Sequence, residues 1–470
     1  MFVKYAPGIL LLCGIAIVAP ALVTPVLAQD RAAIAAASAA ERQREMNLLG
    51  IARMQKGATA YDIGAPGNAN YDEARANPYP DLPPLMVLND GTTVTTPAQW
   101  QARRAQIKAL FDENVYGKYP AHIPGVTWRV TGTERRDVAG IAAIVKHVTG
   151  RVDNSAAPSI SVSIDMDVVT PAATQGRKVP VIIGGGSIRP RPVFHRPPGA
   201  PVHLLKQPDT PPDSAQLLLA KGWGFVWIDY NGVQADNGAG LGKGIIGLTN
   251  RGKPRSLDDW GVLRAWAWAD SRALDYLQTD ADVNAKAVGV MGHSRGGKAA
   301  LVAMVDDPRI AIGYISSSGA GGANLYRRNY GETIGNLAGS NEFHWFAGNF
   351  LRYAAAGHTP NEMPVDSHEF IALVAPRPVF FGGGALITDP DYAPGDAWQD
   401  ARGMFMAASA ASSAWTLLGH KGLGSGTFPP MDTLIDSGDV AWRQHPYGHT
   451  PAPNWPAFIA FASRYLKAAP

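Results

Sequence analysis

Short runs of apolar residues recur along the chain, and each is too continuous for a strand with one face in water. These runs lie at residues 179–183, 224–228, 287–291, 311–316 and 378–381. Helical segments are predicted between and after them, at 257–278, 295–305 and 454–467. Buried strands that alternate with helices are typical of a mostly parallel sheet covered by helices on both faces.

A different pattern precedes these runs. In segments 126–152 and 158–170, apolar residues alternate with polar ones, which predicts long antiparallel strands. Thr96 followed by Pro97 predicts a helix that begins there and continues to about Asn114. Residues 415–418 also resemble a strand. The expected fold class is therefore α/β, a three-layer sandwich with a mostly parallel central sheet and antiparallel N-terminal strands.

The N-terminus has the features of an export signal. Lys4 precedes an apolar stretch, and Val26-Leu27-Ala28 is a small-residue cleavage site. A permanent membrane anchor is the alternative, but prolines interrupt the apolar run. We expect a signal peptide at 1–28, an extension at 29–85 with a helix over 31–57, and a catalytic domain at 86–470. The product would be secreted or periplasmic.

Composition narrows the classes of function. The one cysteine, Cys13, lies in the predicted signal, so the mature chain would lack thiols, disulfides and thiolate metal sites. The formal charge is only +3 and no basic tract is present, which argues against nucleic acid as a partner. The histidines show no metal-binding spacing. We expect no cofactor, no metal, no membrane contact after signal removal, and a monomer.

The strongest chemical motif is Gly292-His293-Ser294-Arg295-Gly296-Gly297-Lys298, between a β-branched run and a helical segment. Strand, Gly-x-Ser-x-Gly and helix form the nucleophile elbow of α/β-hydrolases, in which a tight turn exposes the serine. Ser294 is therefore the candidate nucleophile. Arg295 and Lys298 put two cations in the first helical turn, where the helix dipole disfavours them, so an anionic partner is expected. Arg295 could stabilise an oxyanion or hold a carboxylate.

A serine nucleophile needs a base and an acid, which in this fold follow it along the chain as acid and then histidine. His445 and His449 both lie before the last helix. His449 is preferred because it follows a glycine and lies nearest that helix, whereas Pro446 restricts the backbone at His445. His420 lies too early. The loop after 378–381 contains four aspartates, and spacing alone does not choose among them: Asp389, Asp391, Asp396 and Asp400.

The elbow with both Arg and Lys resembles that of the glucuronoyl esterases, carbohydrate esterase family 15. Further segments that resemble this family in the same order are Ser318-Gly319-Ala320-Gly321-Gly322, Glu342-Phe343-His344-Trp345-Phe346, Pro364-Val365-Asp366-Ser367-His368 and Ala375-Pro376-Arg377-Pro378. The likeness extends from about Tyr71 to the C-terminus. It implies an α/β-hydrolase that cleaves esters of 4-O-methylglucuronate, such as those linking glucuronoxylan to lignin alcohols.

The resemblance also implies roles for residues. Ser294 would be the nucleophile and His449 the base, with Arg295 stabilising the oxyanion. Lys298 and Glu342 would bind sugar hydroxyls. Asp396-Ala397-Trp398 resembles the Asp-x-Trp of bacterial members, which implies Asp396 as the acid and Trp398 as a sugar contact.

One position departs from the fungal members of this family, which carry their acid just after the strand that follows the elbow. Ser317 occupies that position here and cannot serve as the acid. The alternatives to a glucuronoyl esterase are another carbohydrate esterase such as an acetylxylan esterase, a non-catalytic hydrolase-like binding protein, and an exported peptidase. An intact set of Ser294, His449 and candidate acids argues against the binding protein.

Overall fold

The computed structural model describes residues 23–60, 66–185, 206, 208–387 and 395–467, and for residues 23–29 the backbone alone. Ten strands form one sheet: β1 Val126–Val138, β2 Ile141–Val152, β3 Ser163–Pro171, β4 Val179–Gly184, β5 Gly224–Ile228, β6 Val283–His293, β7 Ile312–Ser316, β8 Val379–Gly383, β9 Leu434–Ile435 and β10 Val440–Gln444.

The α-helices of the described residues are α1 Val23–Leu48, α2 Pro97–Asn114, α3 Ser214–Ala220, α4 Tyr230–Val233, α5 Gly244–Thr249, α6 Val262–Leu277, α7 Arg295–Asp306, α8 Ile334–Leu337, α9 Ser367–Ala372, α10 Ala401–Leu417 and α11 Trp455–Ala462. Short 3-10 helices occupy parts of the loops, at Glu73–Arg75, Ala172–Thr174, Gly238–Gly240, Phe343–Trp345, Gly348–Ala354, Pro360–Glu362, Asp396–Gln399 and Ala452–Asn454.

The strand order is β1-β2-β3-β5-β4-β6-β7-β8-β10-β9. The six strands from β5 to β10 in this order are parallel, whereas β1, β2, β3 and β9 pair antiparallel. The predicted α/β fold with a mostly parallel sheet and an antiparallel opening is confirmed. The chain crosses from one side of β4 to the other between β5 and β6, and such a switch point opens a crevice at the carboxyl ends of the strands.

Alternate residues of the buried strands face two different cores. In β4, Val181 and Ile183 pack on the side of α6 and α7, while Ile182 packs on the side of α3 and α11. All three are fully buried. This double burial explains why the strand sequences are continuously apolar rather than alternating.

The N-terminal extension packs onto the domain through a buried ion pair. Arg255 Nε lies 2.7 Å from Glu45 Oε1 of α1, and both side chains are fully shielded from solvent. The prediction of a helix over 31–57 was wrong in its end: the helix ends at Leu48, and Gly50 follows with φ +68. A left-handed glycine is the usual helix C-terminus, and the chain beyond it instead pairs Met54 with Ala355.

Three other sequence predictions need correction. Residues 415–418 are not a strand, because 415–417 complete α10, whose alanine-rich face with Trp415 is buried. The helix predicted at 257–278 begins at Val262, after Gly261 passes so close to the Trp345 carbonyl that a Cβ would overlap it. Segment 126–152 is a hairpin, since Ala139 and Gly140 both have positive φ, as a two-residue turn requires. Strand β10 was missed altogether.

Other predictions hold closely. Helix α2 begins after Thr96, which forms a reciprocal capping box with Gln99, and it ends at Asn114 as expected. Helix α7 and strands β4, β5, β7 and β8 lie within two residues of the predicted bounds.

Candidate active site

Ser294 lies between the end of β6 and the start of α7, with φ 58 and ψ −130. Few non-glycine residues adopt this conformation, which costs on the order of 1–3 kcal/mol and is typical of functional turns. An added Cβ at Gly292 would overlap the carbonyl of Gly296, and one at Gly297 would lie 2.8 Å from Ser316 O. Gly296 has open space around it. The tight turn therefore requires Gly292 and Gly297.

His449 and Asp396 meet at the carboxyl ends of two neighbouring parallel strands. Asp396 follows β8 and His449 follows β10, and His449 Nδ1 lies 2.5 Å from Asp396 Oδ1. Asp396 Oδ2 accepts hydrogen bonds from Ser317 Oγ, at 2.5 Å, and from the backbone N–H of Gly384. Ser317 therefore binds the candidate acid of the later loop.

The Asp396 carboxylate is almost wholly shielded, with 1% of the residue exposed. Burial by itself would raise its pKa, but the charge and hydrogen bond of His449 outweigh burial, with help from His293 and the Ser317 hydroxyl. The pKa of Asp396 is lowered to about 2. Asp396 is therefore ionised at neutral pH and can orient and stabilise an imidazolium.

His445, the alternative base, has structural partners. It is fully buried, its Nε2 lies 2.8 Å from Thr450 O, and its Nδ1 accepts a hydrogen bond from the Tyr447 N–H. Burial lowers the pKa of His445. Both ring nitrogens brace the loop that carries His449.

Of the other three candidate acids, the structure describes only Asp400. Asp400 caps α10 through the Gly403 N–H and pairs with Arg328 at 2.6 Å, so its carboxylate is occupied. Asp389 and Asp391 lie outside the described residues. His420 pairs with Asp439 at 2.8 Å on the surface.

A cavity of about 440 Å³ lies over the elbow. Its lining residues include Gly185, Tyr230, Asp236, Ser294, Arg295 and His449. The imidazole of His293 also borders it, 4.2 Å from the ring of His449 between centroids. Ser294, His449 and the Arg295 cation therefore face one space, at the switch point of the sheet.

The two cations of the elbow have carboxylate partners within the chain. Arg295 Nη1 lies 2.5 Å from Asp236 Oδ2, and Lys298 Nζ lies 2.8 Å from Glu332 Oε2. Lys298 also donates to Ser318 O at 2.7 Å, and only 2% of its residue surface is exposed. The expected anionic partners are therefore Asp236 and Glu332.

Lys298, Glu342 and Trp398 are not among the described residues that line the cavity. They cluster around Glu332, which contacts Lys298 and Trp398 and interacts electrostatically with Glu342. Trp398 Nε1 donates to Glu332 Oε1 at 3.2 Å, and Glu332 holds Lys298. Glu342 Oε2 is buried with no hydrogen-bond partner among the described residues. Burial and the charge of Glu332 raise the pKa of Glu342 to about 8.

Comparison with known proteins adds independent information. The family described as "Glucuronyl esterase, fungi" matches residues 255–419. A carbohydrate esterase from an unknown prokaryotic organism is 31% identical over 428 residues, covering 85% of this chain and 93% of the relative. A CE15 glucuronoyl esterase structure from Teredinibacter turnerae is 39% identical, with TM-score 0.81, covering 91% of this chain and 99% of that chain.

The chain belongs to carbohydrate esterase family 15, the glucuronoyl esterases. A glucuronoyl esterase structure from Solibacter usitatus agrees, with 33% identity, TM-score 0.69, and coverage of 83% of this chain and 99% of that chain. The predicted family and the α/β-hydrolase fold are confirmed, and the esterase is a carboxylic ester hydrolase.

Within the described residues of the esterase, none of the helices combines the length and apolar character of a membrane span. Within the same ranges, no cluster of three or more His, Cys, Asp or Glu side chains could hold a metal ion.

Sequence reasoning missed two carboxylates beside the elbow, Asp236 and Glu332. It also missed the hydrogen bond from Ser317 to Asp396. Asp236 and Glu332 lie in irregular segments after α4 and before α8, where no motif or periodicity identifies a carboxylate. The one available signal was the pair of cations in the first turn of α7. It indicated that anionic partners exist but did not indicate where they lie in the chain.

Proposed function

We propose that this esterase is an exported enzyme that hydrolyses esters of (4-O-methyl-)glucuronic acid, such as those joining glucuronoxylan to lignin alcohols. The observation that carries the proposal is that strained Ser294, Arg295 and His449 border one cavity, with His449 held by the buried Asp396 carboxylate. The family membership supports the uronate ester as substrate.

In the proposed reaction, His449 Nε2 takes the proton of Ser294 Oγ while the oxygen attacks the ester carbonyl. Asp396 holds Nδ1 and stabilises the imidazolium, since its carboxylate stays ionised. The Arg295 backbone N–H at the start of α7 and the Arg295 guanidinium stabilise the oxyanion. His449 then protonates the leaving alcohol, and water hydrolyses the acyl-enzyme with His449 again as base.

The cluster of Lys298, Glu342 and Trp398 is proposed to bind the sugar ring. Lys298 uses two of its three N–H groups inside the protein, which leaves one for a hydroxyl. Glu342, with its raised pKa, is mostly protonated at neutral pH and can both donate to and accept from hydroxyls. Trp398 is half-buried and held by Glu332, so its ring offers a fixed apolar face.

Export rests on the N-terminal sequence alone. The predicted signal lies mostly outside the described residues, since description begins at Val23. Cleavage after Ala28 would release a thiol-free enzyme into the periplasm or the medium, where plant cell-wall esters are accessible.

The test is hydrolysis of benzyl glucuronate by the mature chain and three variants. Ser294→Ala should abolish turnover. Asp396→Asn should lower kcat by about 10²- to 10⁴-fold, because the histidine loses its tautomer and its counter-charge. Asp439→Asn is the matched control: it alters a second aspartate–histidine pair, at 2.8 Å on the surface, and should leave kcat unchanged.

Each contrary result has a distinct meaning. A wild-type enzyme that cleaves acetyl esters but no glucuronate ester would overturn the proposed substrate. An Asp396→Asn variant with near-wild-type kcat would transfer the acid role to another carboxylate, such as Asp389 or Asp391.

A further inference from the structure

The charges around Ser294 cancel almost completely. Each cation of the elbow is matched by a carboxylate of the chain, Arg295 by Asp236 and Lys298 by Glu332. Glu342 is mostly neutral at pH 7 because its pKa is raised to about 8. Asp396 is then the unmatched charge of these groups, so the site as a whole is slightly negative when His449 is neutral.

Asp236 is built to hold Arg295 in place. Three donors converge on its carboxylate: Arg295 Nη1, Trp345 Nε1 at 2.6 Å and His344 Nε2 at 3.0 Å. His344 and Trp345 are buried, with 1% and 4% of their surface exposed, so they fix the carboxylate rigidly. The Arg295 guanidinium also lies 5.4 Å from the centroid of the Trp345 ring.

Without these contacts Arg295 would be mobile, because half of its side chain is exposed to solvent. A long exposed arginine samples many rotamers, and fixing one of them beforehand avoids that entropic cost during the reaction. The Asp236 carboxylate stays charged throughout: burial opposes ionisation, but the His344 hydrogen bond, the Arg295 charge and the Trp345 hydrogen bond lower its pKa to about 2.

The pairing of Arg295 with Asp236 also affects how strongly the site binds the reaction product. The substrate is a neutral ester, whereas the product is an ionised uronate. An unpaired guanidinium beside the nucleophile would bind a carboxylate in a bidentate manner and retain the product. A guanidinium already paired with a carboxylate still offers N–H donors to a developing oxyanion, but it attracts a full anion much less.

We propose that Asp236 is a positioning and specificity-determining residue of the esterase. It holds the Arg295 guanidinium at the cavity and cancels its charge, so that the neutral ester is favoured over the ionised acid product. This inference rests on the proposed glucuronate esterase activity and names the residue that sets preference between substrate and product.

The test compares wild type with Asp236→Asn in the mature chain, measuring kcat and KM for benzyl glucuronate and the inhibition constant of sodium glucuronate at pH 7. In the variant the amide oxygen stays with His344 and Trp345, which both bind Oδ1, so an amide N–H faces the guanidinium and Arg295 is no longer fixed in one position. We expect kcat to fall by about 10- to 100-fold, with KM changed far less. We expect the inhibition constant of glucuronate to fall by about fivefold, since the freed cation binds the product.

Two controls separate this role from a structural one. Asp258→Asn removes a carboxylate from a half-exposed pair with Lys118 and should leave all three constants within about twofold of wild type. In an Arg295→Gln background, Asp236→Asn should change kcat by less than about twofold, because Asp236 acts through Arg295. Asp236→Ser removes the same charge without adding an amide and replaces Asp236→Asn if that variant does not fold.

Wild-type kcat and an unchanged glucuronate inhibition constant in Asp236→Asn would overturn the inference, as would an equal loss of kcat in both backgrounds. Neither result would affect the proposed function, which fails separately if the wild-type enzyme does not cleave benzyl glucuronate.

Discussion

At the scale of single residues, His445 and His449 lie four positions apart and have opposite environments. His449 faces the cavity with one ring nitrogen on Asp396, whereas both nitrogens of His445 bind the backbone of the same loop. Environment, not residue type, therefore distinguishes the proposed base from a structural histidine. The sequence contains both, and it favours His449 because this histidine follows a glycine, lies nearest the last helix and, unlike His445, does not precede a proline.

His445→Gln should destabilise the esterase more than it impairs the chemical step. The buried loop loses two hydrogen bonds, which costs about 1–3 kcal/mol of unfolding free energy. Thermal denaturation and kcat on benzyl glucuronate measure both effects, with His420→Gln as the surface control. A normal melting temperature together with abolished turnover would assign the base to His445.

The sequence predicts catalytic roles for Ser294, Arg295, His449 and Asp396, because an elbow motif and a family resemblance concern short, contiguous segments. It could not find Asp236 or Glu332, since their contact with the elbow depends on how distant loops fold back onto α7. Arg295 and Asp236 are 59 positions apart, and no local pattern encodes that contact.

At the scale of elements, α1 is part of the folded domain through Glu45. The Arg255 guanidinium that it pairs with is also held by the carbonyl of Phe346, at 2.7 Å, so Arg255 connects the extension to the region of the active-site loops. Removing one partner of such a pair leaves an uncompensated buried charge.

Glu45→Ala should lower the unfolding free energy by about 3–5 kcal/mol, measured by urea denaturation. The matched control is Glu41→Ala in the same helix, which removes a partly exposed pair with Arg44 and should cost at most about 1 kcal/mol. Equal, small losses in both variants would mean that α1 contributes little to stability.

A hydrogen bond to a buried carboxyl group joins helices α4 and α6. Asp270 of α6 accepts a hydrogen bond from Tyr230 at 2.8 Å, and burial raises the pKa of Asp270 to about 8. Because the unfolded chain ionises this group near pH 3.8, the folded state retains the proton between pH 3.8 and about 8. Its contribution to stability is complete below that window and is lost as the pH rises through it.

Asp270→Asn should therefore flatten the dependence of stability on pH. Melting temperatures measured from pH 5 to 8 should decline less in the variant than in wild type, because the amide does not ionise. Parallel curves for the two proteins would show that Asp270 is ionised in the folded state across this range.

The sequence predicted helices and strands correctly where burial alone determines the pattern of apolar residues. The prediction failed where contacts with distant parts of the chain determine that pattern. Strands β4, β5, β7 and β8 are buried on both faces, so their apolar runs identified them. Strand β10 includes Arg443 and Gln444, whose side chains bind nearby loops, and so lacked a continuous run. The end of α10 resembled a strand because its apolar residues pack against the core of a helical layer.

At the scale of the whole molecule, stability does not depend on disulfides, since the sequence contains one cysteine. Two apolar cores, one on each face of the sheet, account for the folded state instead. Removal of the predicted signal would leave a chain without thiols, whose stability would not depend on the thiol–disulfide balance of its surroundings.

The exported protein should begin at Gln29 and contain no free thiol. Intact-mass spectrometry of protein recovered after secretion from a bacterial host checks the first residue, and thiol titration under denaturing conditions checks the second. A mass that still includes residues 1–28, with one reactive thiol, would contradict cleavage at Ala28.

Ser317 and Asp396 meet at one point although they come from different loops, with Ser317 Oγ 2.5 Å from the carboxylate. Fungal relatives are expected to carry their acid at the position of Ser317. An ancestor with carboxylates at both positions would have one of them protonated and the other ionised, because two such charges cannot both persist at this distance. In this chain Ser317 Oγ and His449 Nδ1 bind the two oxygens of one carboxylate, so the ends of two separate loops converge on a single point. The position of an acid along the chain therefore does not determine its position in the site.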